Sequence, residues 1–376
     1  MIIGFDAKRA YQNFTGLGNY SRDLIENLVE IYPENEYRLF APKEYDNPRL
    51  NFLSNNKNIS SIFPESPINK TFKGLWRSIN IEKSIIKSKI DIYHGLSNEI
   101  PRIKNHKIPY VVTIHDLIFK RYPRNYRSID RKIYNIKYKY AVKYSDLTIA
   151  ISEQTKKDLV EFYNADPKKI KVIYQTCHKN FRKKYSKSVL EKIKKKFNLP
   201  NEFLLNVGTI ETRKNLISIL NAMTKMKNDT PLVVVGKKTQ YMNFIKVQIK
   251  KINFNPDKII FLNDVSIEDL PGIYQLSTLF IYPSFFEGFG IPIIEALNSK
   301  VPVITSKEGC FKEAGGEKSI YINPNDVEEI AFKIDECLED SLKRKEMINS
   351  GLIHVKNFNP EIISKKLINA YSNLLQ

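Results

Sequence analysis

The sequence predicts an α/β protein of two domains, each built on its own parallel sheet. Short, strongly apolar stretches such as Tyr110–Ile114 and Leu232–Val235 alternate with helical patterns. Strands buried on both faces of a parallel sheet read this way, because crossover helices cover both sides. The alternation runs through the chain twice, once in each half. Finally, Gly16, His115, Ser152, Gly208, Gly236 and Pro283 all fall just past candidate strands. Ligands of open parallel sheets bind outside the carboxyl ends of the strands, so the two halves are expected to face each other across a cleft.

In order, Met1–Phe5 is the first expected strand, and a loop with Gly16 and Gly18 leads to a helix from about Asn19. Leu24, Ile25, Leu28 and Val29 recur there at helical spacing. Strands follow at Tyr37–Phe40, Ile90–Tyr93, Tyr110–Ile114, Leu147–Ile151 and Lys171–Tyr174, with Ser152 placed to cap a helix near Glu153. The lysine-dense stretch Phe181–Asn201 is read as the connection between domains plus a short helix. The second series has strands at Phe203–Val207, Leu232–Val235, Ile259–Leu262, Leu279–Tyr282 and Val301–Thr305, with a helix from about Asn215. Helices over Val327–Glu339, Leu342–Val355 and Pro360–Leu374 close the chain. The domains are therefore drawn at 1–180 and 181–357, with 358–376 as a closing helix.

The 376 residues, 42% of them hydrophobic, suffice for two cores and exclude a disordered or fibrous chain. Sixty Lys and Arg against 41 Asp and Glu give a net charge of +19, a field that attracts phosphates of any kind. Cys177, Cys310 and Cys337 are far apart and form no CxxC pair, and no HExxH occurs, so neither a zinc site nor a disulfide framework is expected. Met1–Phe5 runs directly into Asp6 and Lys8, unlike a signal peptide. No apolar run approaches the roughly 20 residues that span a bilayer. A cytoplasmic protein, able to rest on the inner face of the cell membrane, is expected.

Four segments carry chemistry. Thr15-Gly16-Leu17-Gly18-Asn19-Tyr20 joins a strand to a helix, where free N–H groups and the absence of side chains suit an anion; an ordinary turn is the alternative. His115-Asp116 ends an apolar strand, where the imidazole could meet a substrate oxygen, although lone histidines are more often structural. In Asn206–Asn215, Gly208 is followed by Arg213 and Lys214, two adjacent cations that suit a pyrophosphate. The fourth and most specific is Phe286–Leu297: Glu287 in the turn of Gly288, Phe289 and Gly290, then Pro292 and Glu295 in a helix whose N-terminus favours a phosphate. Glu295 could accept both hydroxyls of a ribose, and Glu287 could reach a sugar. Separately, Lys120–Tyr144 interleaves cations with tyrosines. Such a surface suits anionic headgroups or single-stranded nucleic acid; a helix with its tyrosines packed inward is the alternative.

With these segments in their order, the chain resembles the retaining glycosyltransferases of family 4, which have the GT-B fold of two Rossmann-like domains. FEGFGIPIIEAL resembles their Glu-x7-Glu signature, and GLGNYSRDL, VVTIHDL, LTIAISEQTKKDL, VGTIETRKNL, PVITSKEG and AGGEKSIYINPND resemble further family segments. The resemblance is nearest to bacterial mannosyltransferases of lipopolysaccharide and capsule biosynthesis. It implies a nucleotide-sugar donor, GDP-mannose or else a UDP-sugar, no metal, and an acceptor glycan on a lipid carrier. It further implies that Gly16 and Gly18 face the donor phosphates, His115 lies beside the transferred sugar, Arg213 and Lys214 hold the pyrophosphate, Glu287 contacts the sugar and Glu295 the ribose. The helix after Phe358-Asn359-Pro360 would cross back to the N-terminal domain. The chain departs from the family at Gly208-Thr209, Gln175–His178 and Gly309–Glu313. An epimerase of the same fold and a nucleic-acid-binding protein are the other classes. The second leaves Glu287 and Glu295 without a purpose, and no RNA- or DNA-binding module is recognisable.

Overall fold

The computed structural model of the chain describes residues 1–103 and 107–376. The chain divides into two compact units: Met1–Thr176 together with Phe358–Gln376, and Cys177–Asn357.

Unit 1 holds seven parallel strands: β1 (Ile2–Asp6), β2 (Glu36–Phe40), β3 (Ile59–Ile62), β4 (Ile92–Gly95), β5 (Tyr110–Ile114), β6 (Leu147–Ala150) and β7 (Ile170–Val172), in the order β3-β2-β1-β4-β5-β6-β7. Unit 2 holds six: β8 (Leu204–Val207), β9 (Leu232–Val235), β10 (Ile259–Leu262), β11 (Leu279–Tyr282), β12 (Val303–Ser306) and β13 (Ile320–Ile322), in the order β10-β9-β8-β11-β12-β13. Both are α/β sheets of Rossmann type, and each reverses its direction of growth once, between β1 and β4 and between β8 and β11. At such a reversal the flanking loops run to opposite faces of the sheet and leave a crevice between them.

The central strands β4, β5, β6, β8, β9 and β11 are buried along their whole length, in keeping with their largely apolar sequences. Against unit 1's sheet the helix Gly16–Ile31 turns Tyr20, Leu24, Ile25, Leu28 and Val29 inward. The closing helix Pro360–Leu375 adds Ile363, Leu367, Ala370 and Tyr371 to the same core. Its register is fixed by a buried polar chain: the Tyr371 hydroxyl lies 2.6 Å from His94 Nδ1, His94 Nε2 lies 2.8 Å from Thr113 Oγ1, and Thr113 Oγ1 lies 3.0 Å from the Tyr20 hydroxyl.

Several expectations move. The first long helix begins at Gly16, not near Asn19, so Gly16 and Gly18 sit in its first turn. β4 runs to Gly95, which places His94 inside the strand. β3 and β13 escape notice in the sequence because they are short edge strands of four and three residues, and in β3 Ser60 and Ser61 also face solvent and break the apolar run. The stretch read as a connection plus a short helix holds a helix at Lys187–Lys196 and packs into unit 2. Phe181 is fully buried against Tyr274, and Tyr185 is held by Gln275 and by the Glu268 carbonyl.

Burial, then the neighbouring His115, pulls the His94 imidazole down to about 3, and burial holds His115 at about 4. Both folded values lie below the ordinary 6.5, so the unfolded chain takes up protons first as pH falls. The stability these groups contribute is complete above 6.5 and is lost toward 4 and 3, at about 1.4 kcal/mol per pH unit for each. The single tryptophan, Trp76, is buried in unit 1 and reports on that unit alone. Urea unfolding followed by its fluorescence should show a marked loss of stability between pH 7.5 and 5.0; a flat profile there would contradict the assignment.

Candidate active site

In unit 2 the crevice lies at the carboxyl edge between β8 and β11. These strands pair only at Leu204 with Leu279 and Leu205 with Phe280. Beyond that, the Asn206 side chain takes over the ladder and donates to the Ile281 carbonyl at 2.7 Å. The loop after β8 begins with Gly208 at a φ of +151°, and its carbonyl approaches Gly236 so closely that a Cβ there would lie 1.8 Å from the oxygen. Asn215, in left-handed conformation, donates to the Pro283 carbonyl at 3.2 Å and the Pro324 carbonyl at 2.7 Å. Phe285 N–H donates to the Arg213 carbonyl at 3.0 Å. The loops after β8 and β11 are thereby fixed to each other.

Their side chains form one cluster. Arg213 Nη1 lies 2.6 Å from Glu287 Oε2, and Lys214 Nζ lies 2.6 Å from Glu287 Oε1. The Tyr282 hydroxyl donates to the same Oε1 at 2.9 Å, and the Lys214 ammonium stands 4.8 Å from the centre of that ring. Arg213 also donates to the Phe286 carbonyl at 2.7 Å and pairs with Glu211 at 2.6 Å. Burial alone would push the Glu287 carboxyl up, but Lys214 and Arg213 overcome it and hold it down at about 2. Burial draws the Lys214 ammonium below its ordinary value against the pull of Glu287. For Arg213 burial acts downward, yet Glu287 and then Glu211 raise the guanidinium above its ordinary value. Glu287 is thus ionised at every physiological pH, and both cations are held rigidly at the sheet edge.

The turn that carries Glu287 has its own support. Phe289 is buried, Gly288 half-buried, and Gly290 takes a φ of +116° immediately before the helix Ile291–Asn298, with Pro292 in its first turn. Cys310, fully buried, donates its thiol to the Glu287 carbonyl at 3.2 Å and to the Phe289 carbonyl at 2.9 Å. Glu295 lies one turn into the helix and accepts from the Tyr274 hydroxyl at 3.0 Å.

In unit 1, Gly18 leaves no room for a side chain, since a Cβ would lie 1.8 Å from the Asn13 carbonyl oxygen. Its N–H is already directed at the Thr15 carbonyl, 2.9 Å, and at Asn13 Oδ1, 3.2 Å. Gly16 faces open space. His115 is buried under the Tyr20 ring, with centroids 4.6 Å apart. Its Nε2 donates to the Leu96 carbonyl at 2.9 Å, and its Nδ1 accepts from Gln175 at 3.1 Å. The imidazole is therefore neutral, with both nitrogens engaged.

The structure brings Gly208, Arg213, Lys214, Glu287, Gly288, Phe289, Gly290 and Glu295 together at one end of unit 2, while Gly16, Gly18 and His115 stand in unit 1. Sequence reasoning missed Asn206, Tyr282, Cys310 and Gln175. The last two lie in the segments where the chain departs from its family, and both hold residues of the expected site in place. Tyr282 and Asn206 carried no signal, because a polar tip in a buried strand is visible only once its partner is.

Two cations and a helix N-terminus at a Rossmann-type switch point have the charge and donors that suit a phosphate-bearing ligand. Residues 14–178 match the family described as Glycosyltransferase Family 4, and residues 189–353 match Glycosyl transferases group 1. The chain belongs to these glycosyltransferases and is a hexosyltransferase of GT-B type. O-antigen chain mannosyltransferase B of Escherichia coli is 26% identical, with both chains covered over 100% of their length. O-antigen chain mannosyltransferase RfbU of Salmonella typhimurium is 30% identical over 65% of each chain. Among solved structures, HepE of Anabaena in complex with UDP-glucose superposes with a TM-score of 0.76 at 17% identity, covering 99% of both chains; at that identity the likeness is one of fold.

Replacing Glu287 by Gln removes the anion from between two buried cations. Loss of one partner of a buried ion pair costs about 3–5 kcal/mol. Glu287→Gln should lower the unfolding free energy of unit 2 by that order in chemical denaturation, whereas Glu211→Gln, whose side chain is 40% exposed, should cost far less. Equal effects would refute the central role of Glu287.

Proposed function

We propose that the chain transfers mannose from GDP-mannose, with retention at the anomeric carbon, onto a growing surface glycan carried on a lipid. The observation that carries the reading is the Arg213–Lys214 pair, held by Glu287 at the switch point of unit 2. Mannose and a surface glycan are supported by the relatives, which are themselves O-antigen chain mannosyltransferases. A UDP-sugar donor is the other form of the same reading.

In the reaction the bond from the anomeric carbon to the diphosphate oxygen breaks, and the acceptor hydroxyl oxygen bonds to that carbon on the same face. Negative charge grows on the departing diphosphate, where Arg213 and Lys214 stabilise it more in the transition state than in the ground state. These two cations fill the role that a metal plays in other transferases, so the reading calls for none. A carboxylate held at about 2 is a weak base and a weak nucleophile. Glu287 therefore serves as the counter-charge that orients the cations and faces the sugar, and the acceptor's proton passes to a diphosphate oxygen. Glu295, on the helix after the glycine turn, takes the ribose hydroxyls.

A peripheral membrane position is supported by the helix Ser128–Tyr144, in which only Ala141 is buried. Ile129, Ile133 and Ile136 share one exposed face, with Arg127, Lys132, Lys139 and Lys143 exposed around them. The tyrosines divide between the alternatives. Tyr138 packs edge-on to Phe119, while Tyr134 and Tyr144 remain exposed. Among the described residues no helix is long and apolar enough to cross a membrane.

Calorimetry with GDP-mannose against UDP-, ADP- and dTDP-sugars should show selective binding of GDP-mannose, weakened at least ten-fold in Glu295→Ala. Selective binding of a UDP-sugar would overturn the guanine assignment, and binding unaffected by Glu295→Ala would overturn the ribose contact. On vesicles containing anionic lipid, Lys132→Glu/Lys139→Glu should lower the bound fraction several-fold at physiological salt, since each cation near such a surface contributes about 1 kcal/mol. Unchanged binding would remove this helix from the membrane contact.

A further inference from the structure

The carboxyl edge of unit 1's sheet has a switch point of its own, between β1 and β4, where Asp6 pairs with Gly95. A buried charge network stands there. Arg77 clamps Asp6, with Nε at 2.9 Å and Nη2 at 2.5 Å from Oδ2, and its Nη1 reaches Glu99 Oε1 at 2.6 Å. Lys137 takes the other Glu99 oxygen at 2.8 Å. Both carboxylates are thus engaged.

Two further cations, Lys8 and Arg9, follow Asp6 after Ala7 and are half-buried. Neither side chain has a hydrogen bond or ion pair among the described residues, and Arg9 Nε is buried with no partner. Burial, then the Arg77 guanidinium, draws the Lys8 ammonium below its ordinary value; Glu99 and Asp6 oppose this, and Arg9 adds to it. The Arg9 charge also reaches His115, whose imidazole burial already keeps neutral. Past the end of the adjacent strand β4, two residues after Gly95, Ser97 is 4% exposed and its hydroxyl is likewise unsatisfied. Leaving buried donors unpaired is costly, and a half-buried cation without a counter-charge more so. Three such groups at the sheet edge where ligands of this fold bind present donors and positive charge suited to an anion.

We propose that Lys8, Arg9 and Ser97 of unit 1 form an anion site, additional to the Arg213–Lys214 pair of unit 2, which takes a phosphate group of a substrate. Arg9 supplies planar donors to the phosphate oxygens, Lys8 a point charge and Ser97 a hydroxyl. The phosphate belongs either to a lipid diphosphate acceptor or to the nucleotide-sugar donor. The proposal rests on the transferase reading for the choice of these two sources, but not for the existence of the site.

The test uses the full chain. Inorganic pyrophosphate is titrated calorimetrically into wild type and Lys8→Gln/Arg9→Gln in the presence of saturating GDP, with circular dichroism and thermal unfolding to confirm folding. The single variant Lys8→Gln serves if the double variant unfolds. The expected result is one pyrophosphate fewer per chain, or at least a ten-fold loss of affinity. Parallel titrations with GDP-mannose and with farnesyl diphosphate name the source, since only the ligand whose phosphate occupies the site loses affinity in the variant. Unchanged pyrophosphate binding by a folded variant would overturn the site while leaving the transferase reading intact. Failure of every nucleotide sugar to bind wild type, with the variant still losing pyrophosphate, would overturn the transferase reading and leave the site standing.

Discussion

A carboxylate almost without access to water holds the second unit's site together. Glu287 remains ionised because Arg213 and Lys214 each approach one of its oxygens at 2.6 Å, and their attraction exceeds the cost of burying it. That balance fixes the loop after β8 to the loop after β11. It also sets the orientation of both cations before any ligand arrives, so little ordering remains to be done on binding. Asn206, Asn215 and Cys310 serve the same end from the outside, each satisfying backbone carbonyls that the separation of the loops leaves open.

The glycines belong to the same constraint. Gly236 accommodates the Gly208 carbonyl where any side chain would collide, and Gly290 takes a conformation that residues with a Cβ rarely adopt. The turn holding Glu287 can therefore pass directly into a helix whose first N–H groups face the crevice. Preorganisation of this kind is what electrostatic catalysis requires, because donors that must first be reoriented lose much of their advantage.

Unit 1 follows a different economy. Its two buried histidines, His94 within β4 and His115 just past β5, are neutral and fully engaged, His94 by Tyr371 and Thr113, His115 by Leu96 and Gln175. They give the carboxyl edge its shape, and the uncompensated charge there rests on Lys8 and Arg9. The closing helix is part of this arrangement, since Tyr371 completes the hydrogen-bond chain through the core.

The sequence by itself determined the class of the fold and the location of the signature. Runs such as Tyr110–Ile114 and Leu279–Tyr282 are legible because a strand covered on both faces reads as a near-continuous apolar run. Arg213 and Lys214, and likewise Glu287 and Glu295, are legible because each pair lies close together in sequence, in or just after a glycine-bearing turn. Tertiary structure alone decided which polar groups answer one another. Asn206 and Ile281 are far apart along the chain, as are Cys310 and Glu287, and Gln175 and His115. A buried polar side chain carries no mark of its partner, since its pairing depends on which strands and loops the sheet order sets side by side. For the same reason the opposite character of two similar cation pairs was hidden. Arg213-Lys214 meets a carboxylate across the crevice, whereas Lys8-Arg9 finds its nearest carboxylates already taken by Arg77.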